Sequence, residues 1–451
     1  MWVHLKNMKH IQKFQFVLLG LFLSIFSLQT IAQTPAQHSS TFPVNGTVDK
    51  HLVRTVLENA TVYVDHKTII ENGTVVLFRG LIEYVGLSEE VKIKEPAVRL
   101  DMQGSYLYPS FVDLHSSYGL PESRPAEWSR KPQYESDKKG AYGWNQAIRP
   151  EINSAAVFVE DAKKAKSFRE AGIGALLVHV QDGIARGTGA LVMPVDNPRD
   201  AIIRPDASAH YSFRKGSSKQ NYPSSLMGST ALIRQTHYDA LWYSEASKRG
   251  LAGGINLSLE AFNSSQELPQ IFSAGNWKDI LRATTIGEEF GIDYIVLGGG
   301  NSYQRADAIA ETGATVIVPV TYPKAYDLSD PFLARFVSLT ELKHWELAPS
   351  NAAILNEAGV EICFTSDGLK SPAGFLPAVR KAVERGLPES EALAALTTNP
   401  AKSVGAENLV GSLESGLMAN VIVTDGPLFD KDTKIVEHWV SGEPTILVDR
   451  N

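Results

Sequence analysis

Between residues 52 and 100 apolar and polar positions alternate or run in short blocks, as in ATVYVD, GTVVLFRG and LIEYVGL. A period of two, or a brief apolar run, marks β-strands. Asn72-Gly73 and Arg79-Gly80 supply turn residues between them. This pattern predicts a small β unit.

From Ser105 the texture changes. Apolar positions in AAVFVEDAKKAKSFREAG fall at helical spacing, with Phe158, Ala162, Ala165 and Phe168 as the stripe and Gly172 as its stop. IGALLVHV follows as a buried strand, and RGTGALVMP reads as another behind a glycine turn. Residues 120–150 and 196–228 read as polar loops. The pattern next predicts helix 229–249, strand 252–259, strand 269–273, helix 277–290, strand 293–297, helix 303–312 and strand 314–318. Helix 348–358, the strand VEICFT and helices near 373–385 and 388–398 close the series. Repeated helix–strand alternation argues for a parallel sheet, and the number of units suits a closed (β/α)8 TIM barrel. After Pro400 the β texture returns. The expected architecture is therefore α/β: a barrel over residues 105–400 and a small β-sandwich built from both chain ends, residues 51–104 and 401–451.

The N-terminus follows different rules. Lys9, His10 and Lys13 precede an apolar run from Phe16 to Leu28, and Thr30 and Ala32 offer small residues for cleavage. That is the build of a signal peptide over residues 1–32, too short for a membrane span. A flexible leader, 33–50, follows. The expectation is export to the periplasm or beyond, with no stable membrane span after cleavage. Cleavage would remove Lys6, Lys9 and Lys13 and no acid. The chain carries a net charge of −7, with 21% charged and 43% hydrophobic residues. Such a balance gives no sign of a nucleic-acid partner. The sole cysteine, Cys363, excludes an intramolecular disulfide and reads as core rather than nucleophile.

Chemistry is suggested first by FVDLHSSYG, residues 111–119, an apolar strand ending in His115, Ser116 and Ser117. VRLDMQGSYLYPSFVDLH at the front and ALTTNPAKSVGAENLVGSLESGLMANVIVTDG at the rear are long ordered motifs. On them the chain resembles the amidohydrolase superfamily, in particular its imidazolonepropionase-like and dipeptidase-like exported bacterial branches. The rear motif of relatives usually ends in Ala-Asp, where this chain has Ala419-Asn420.

The resemblance implies a metal-dependent hydrolase of amide C–N bonds, in which a Zn²⁺-type ion activates water and a carboxylate on the last strand moves its proton. By that resemblance His115 is a metal ligand, and Asp367 is both ligand and general base. Three other ligand positions are substituted, by Ser117, by Ser273 and by Leu297 or Gly298. Serine is a poor zinc ligand and leucine none. His179 and Glu260 are candidate extra ligands, although His179 in ALLVHV reads more readily as a hydrogen-bonded core histidine. His210, His237, His344 and His438 read as surface residues. GGGNS at 298–302 and RGTG at 186–189 read as turns, and a GxSxG elbow is absent. The expected outcome is a remnant site, with a divalent ion bound weakly or not at all. The chain then acts weakly, or as a pseudoenzyme binding a small amide or peptide-like ligand, or beside an active amidohydrolase partner. The rival expectation is an active enzyme with a mononuclear site on His115 and Asp367. A purely structural envelope protein has no positive support.

Overall fold

The computed structural model describes residues 53–125, 127, 132–197 and 200–448. The signal peptide and leader expected over residues 1–50 lie outside the described residues. No helix among the described residues is long and apolar enough to cross a membrane.

One sheet draws on both ends of the described chain. Its strands are β1 (Arg54–Tyr63), β2 (Ile69–Phe78), β3 (Leu81–Leu87), β4 (Ala97–Asp101) and β5 (Tyr106–Pro109) from the front. The second sheet follows with β6 (Phe111–Ser116), β7 (Ile173–Val178), β8 (Ala185–Val192), β9 (Ile202–Ser212), β10 (Gln270–Ser273), β11 (Tyr294–Leu297), β12 (Val316–Pro319) and β13 (Ile362–Thr365). The rear strands β14 (Val421–Thr424), β15 (Ile435–Val440) and β16 (Glu443–Ile446) return to the first sheet.

The first sheet runs β16-β15-β14-β5-β1-β2-β3, with β4 also pairing β1. It is one continuous hydrogen-bonded sheet rather than the two separate sheets expected of a sandwich. Front and rear meet where β14 pairs antiparallel with β5, Ile422 opposite Tyr108. Arg79 and Gly80 join β2 to β3 with φ values of 54° and 76°, as a two-residue hairpin turn requires. Asn72 also adopts positive φ, 50°, yet it lies inside β2 and does not end the strand as its Asn-Gly signal suggested. Val62, Val75, Leu107, Val421 and Val423 form the core of this sheet.

The chain changes sheets at Ser110, whose N–H donates to the Asn420 carbonyl, and Phe111 then bonds back to Gly172. The second sheet keeps chain order from β6 to β13. Its neighbours are parallel except around β8, which is antiparallel to both β7 and β9. Strict parallel alternation is therefore not met. The two edge strands nonetheless approach one another. Ser366, just after β13, donates to Asp113 of β6 from its N–H at 2.8 Å and its hydroxyl at 2.5 Å. Thr365 donates to the His115 carbonyl at 3.2 Å. An eight-stranded sheet can bring its edges together only by curling. The edges are joined by side chains, and no backbone ladder pairs β6 with β13 among the described residues.

Alternation along the strands then sorts the two faces. Phe272, Val296, Val316 and Phe364 pack outward with the helices. Leu114, Leu177, Ile271, Leu297, Ile317 and Cys363 pack together on the inner face. The helices over 226–248, 277–290, 351–357, 375–384 and 389–396 agree closely with the sequence pattern. Four segments differ from it, among them the loop expected before helix 348–358, which carries a helix, Leu339–Leu347, behind a Ser338–Glu341 capping box. The predicted helix at 155–172 is broken, because Asp161 caps a new start at Ala162. Residues expected as strand 252–259 instead lead into a helix, Leu257–Ser264, capped by Asn256. The expected loop 196–228 contains the strand β9.

Candidate active site

The inner-face alternation ends, at the C-terminal edges of the strands, in polar residues. Two positions beyond Leu177 stands His179, and two beyond Ile271 stands Ser273. His210 alternates with the outward Ala209 and Tyr211 of β9. His115 joins them at the end of β6, where the pairing with β7 shifts register.

His115, His179 and His210 form one buried cluster, at 3%, 0% and 1% exposure. The His115 and His179 ring centroids are 4.6 Å apart, tilted by 58°. Those of His179 and His210 are 3.7 Å apart with planes 3° from parallel. Among the described residues no partner reaches His115 Nδ1, His210 Nδ1 or either nitrogen of His179. His115 Nε2 lies 3.1 Å from the Gln181 amide, and His210 Nε2 lies 2.7 Å from the Ser208 hydroxyl. Burial is the main cause keeping all three neutral. It drives His115 down to about 3 and His179 and His210 well below the usual imidazole range. The Arg186 guanidinium pushes each of the three the same way.

Arg186, on β8, is the residue that sequence reasoning missed. It is 7% exposed. Its Nε donates to the Gly183 carbonyl at 3.1 Å and its Nη1 to the Ser273 hydroxyl at 3.1 Å. Burial lowers its pKa to about 10, a value that still leaves it a cation. RGTG was read as a turn; the usable signal was a charge set inside the apolar run IARGTGALVM. The nearby Asp182 is otherwise engaged, by Arg149 and by the Ser217 N–H and hydroxyl at 2.6 Å.

Asp367 stands at the rim, its side chain 44% exposed, with Oδ2 3.9 Å from His115 Nε2. That spacing is beyond a hydrogen bond, and a neutral His115 makes no ion pair. Partial burial, then the neighbouring Asp113 charge, raises the Asp367 pKa. Burial likewise raises that of Asp113, against the hydrogen bonds it accepts from Ser366 and the His115 N–H.

Several expectations change on this geometry. His179 is buried but not hydrogen-bonded. His210 and His237 are buried, at 1% and 4%, rather than exposed. His438 is buried too, held by the Ser110 hydroxyl and the Arg169 carbonyl at 2.7 and 2.8 Å; of the four histidines expected at the surface, His344 alone is part-exposed. Ser117 is exposed and turns away from the strand, its carbonyl accepting from Leu120. Leu297 packs into the inner apolar cluster. Glu260 is exposed on its helix and accepts from the Tyr243 hydroxyl. Cys363 is fully buried, and burial pushes its thiol up to about 12, so it is inert as a nucleophile.

A family-type ion does not fit this donor set. Catalytic zinc takes three protein ligands whose lone pairs converge. Among the described residues no three His, Cys, Asp or Glu side chains do so. Parallel stacked rings aim their in-plane lone pairs side by side, and the Arg186 cation stands on the hydroxyl of Ser273, where the resemblance expects a ligand imidazole.

A family model for the amidohydrolase family matches residues 348–448. The imidazolonepropionase of Geobacillus kaustophilus is 24% identical over 393 residues, spanning 80% of this chain and 85% of that protein. Among solved structures, an amidohydrolase from Thermotoga maritima aligns with a TM-score of 0.66 at 23% identity, over 87% of this chain and 99% of its own. A prolidase solved with N-methylphosphonate-L-proline aligns at 0.50 and 16% identity, over 87% and 100%. At these identities structural likeness speaks to the fold, which is TIM-barrel-type with an extra domain.

Proposed function

Because the chain belongs to the amidohydrolase superfamily, we propose that it binds a small amide or peptide-like molecule at the C-terminal edge of its curled sheet. Its ancestry is that of a C–N bond hydrolase, and its own turnover is weak or absent because the metal ligands have been replaced. The observation that carries this reading is the hydrogen bond from buried Arg186 to Ser273 at 3.1 Å. It sets a fixed cation among the residues where the superfamily gathers a divalent ion, and like charges in a poorly solvated site repel strongly. In this reading Asp367 is a rim carboxylate that has lost its ion.

The test is hydrolysis of dipeptides and cyclic amides by the purified chain, with zinc or manganese supplied. The expected result is turnover far below the ~1–10³ s⁻¹ of ordinary enzymes. Turnover within that range would discard the reading.

One observation favours the rival, an active mononuclear site on His115 and Asp367. His115 Nδ1 and both His179 nitrogens are buried without partners, and such atoms usually serve something. The rival requires His115→Ala and Asp367→Ala each to abolish metal binding and turnover.

Three further proposals go with the leading reading. Residues 51–104 and 401–451 form one accessory unit and 105–400 the catalytic-type domain, supported by the pairing of β5 with β14. The chain is exported, supported by the basic then apolar pattern of its first 32 residues. An active amidohydrolase serves as its partner, which would give a non-catalytic copy a role.

A further inference from the structure

A buried cation is stable only when paired or hydrogen-bonded, and an unpaired one works against folding. Arg186 is 7% exposed. Its two hydrogen bonds go to neutral oxygens, of Gly183 and Ser273. Among the described residues no carboxylate is in ion-pair contact with it. Asp182, held by Arg149 and Ser217, and Asp367 act on the guanidinium only through space. The structure thus holds a desolvated positive charge with no carboxylate in contact among the described residues.

The surroundings match that charge. Ala185 of β8 pairs with Tyr211 of β9, which sets Arg186 next to His210, and ring contacts carry the cluster on to His179 and His115; the guanidinium charge opposes the protonation of all three. Each keeps at least one ring nitrogen without a partner. A neutral imidazole carries one N–H, which either nitrogen can present. Arg186, with its remaining N–H groups, and a neighbouring ring N–H can therefore donate to the two oxygens of one carboxylate, whereas the stacked pair offers a metal ion no convergent lone pairs.

We propose that Arg186, with His115, His179 and His210, forms an anion site that binds the carboxylate of a small monocarboxylate ligand, a guanidinium serving where the superfamily uses a metal. The occupant carries a single negative charge. Arg186 is the buried cation of the cluster, and the Asp182 and Asp367 charges already act on it, so a dianion such as phosphate would be left under-neutralised. A planar carboxylate also matches the guanidinium fork. The half-exposed Asp367 marks the open rim and repels a second acidic group there. The proposal deepens the ligand-binding reading above and rests on it.

The test is thermal unfolding of the EDTA-treated full chain with acetate, N-acetylglycine and the neutral N-acetylglycinamide, on wild type, Arg186→Gln and Arg186→Lys. A ligand that binds the native state raises the melting temperature in proportion to its occupancy. The expected result is a rise with both carboxylates and none with the amide. Apparent affinity should fall about tenfold or more in Arg186→Gln, with part of the response kept in Arg186→Lys. Without ligand, Arg186→Gln should melt no lower than wild type, because it removes an unpaired buried charge. Absence of any carboxylate response in wild type would overturn the proposal, as would equal responses to acid and amide. So would an Arg186→Gln chain that folds and still responds fully. Those failures leave the metal-poor reading standing. Tight, stoichiometric zinc in the undialysed protein would instead remove that reading, and this inference with it.

Discussion

The imidazoles of His179 and His210 stack face to face, 3.7 Å between centroids and 3° between planes. A ring nitrogen holds its lone pair in the ring plane, so parallel rings direct theirs within parallel planes that do not meet. A tetrahedral ion needs donors that converge on one point. The stack therefore supplies two desolvated imidazoles and no chelate.

His179 and His438 contrast two kinds of buried histidine. His438 is fully satisfied, whereas among the described residues neither nitrogen of His179 has a partner. Replacing a satisfied group leaves its partners bare, while replacing an unsatisfied one removes a penalty. His438→Leu should lose about 2–4 kcal/mol. His179→Leu should be neutral or stabilising by about 1 kcal/mol. Urea unfolding of both variants checks this, and a His179→Leu loss as large as that of His438→Leu would contradict it.

Asp113 ties the two edges of the curled sheet. Its Oδ1 accepts from the His115 N–H at 3.0 Å and its Oδ2 from both Ser366 donors. Asp113→Ala strips the acceptor from these donors and should destabilise by about 2–4 kcal/mol. Hydrogen exchange should then show the loss concentrated at β6 and β13. A uniform change across all strands would argue against Asp113 as the tie.

Gly187 follows Arg186 at a φ of 85°. A Cβ placed there would lie 1.9 Å from the Ile152 carbonyl oxygen, so backbone would have to move. Gly187→Ala should lower stability by about 3 kcal/mol or more and displace Arg186. A melting temperature equal to wild type would show that the segment yields easily.

Acid should weaken the fold. Burial lowers His115 to about 3 and His237 and His438 to about 4. Unfolded, each would take a proton near 6.5. Below that pH the unfolded state binds more protons, so stability falls with falling pH. The loss runs from 6.5 to about 4 for His237 and His438 and to about 3 for His115, then levels off. Each contributes up to ~1.4 kcal/mol per pH unit within its window. The raised carboxyls of Asp113 and Asp367 act in the opposite sense, but with His179 and His210 the histidines outnumber them. Denaturation midpoints should be lower at pH 5 than at pH 7.5, and a higher midpoint at pH 5 would refute the assignment.

The helices 277–290 and 375–384 were readable because each has a strong apolar stripe, and Asn276 and Gly291 punctuate the first. The superfamily resemblance was readable from its front and rear motifs. β9 was not, because Pro205 and Asp206 interrupt it and its buried half, Ala207 to Ser212, alternates polar residues with only two alanines and one tyrosine, a weak apolar signal. Missing β9 placed His210 on the surface and hid its stack on His179. Arg186 escaped for a related reason. Its role depends on β8 running antiparallel and on Ser273 from β10, a relationship between distant residues that no local pattern carries. The substituted positions Ser117, Ser273 and Leu297 were visible one by one, but the cation beside Ser273 was not.

The central claim is that this site has exchanged a divalent ion for a fixed guanidinium. The most direct measurement is the metal content of the purified full chain after dialysis against trace zinc and manganese. The account predicts far less than one ion per chain, unchanged in His115→Ala. About one ion per chain, lost in His115→Ala, would contradict it and establish a metal centre on His115.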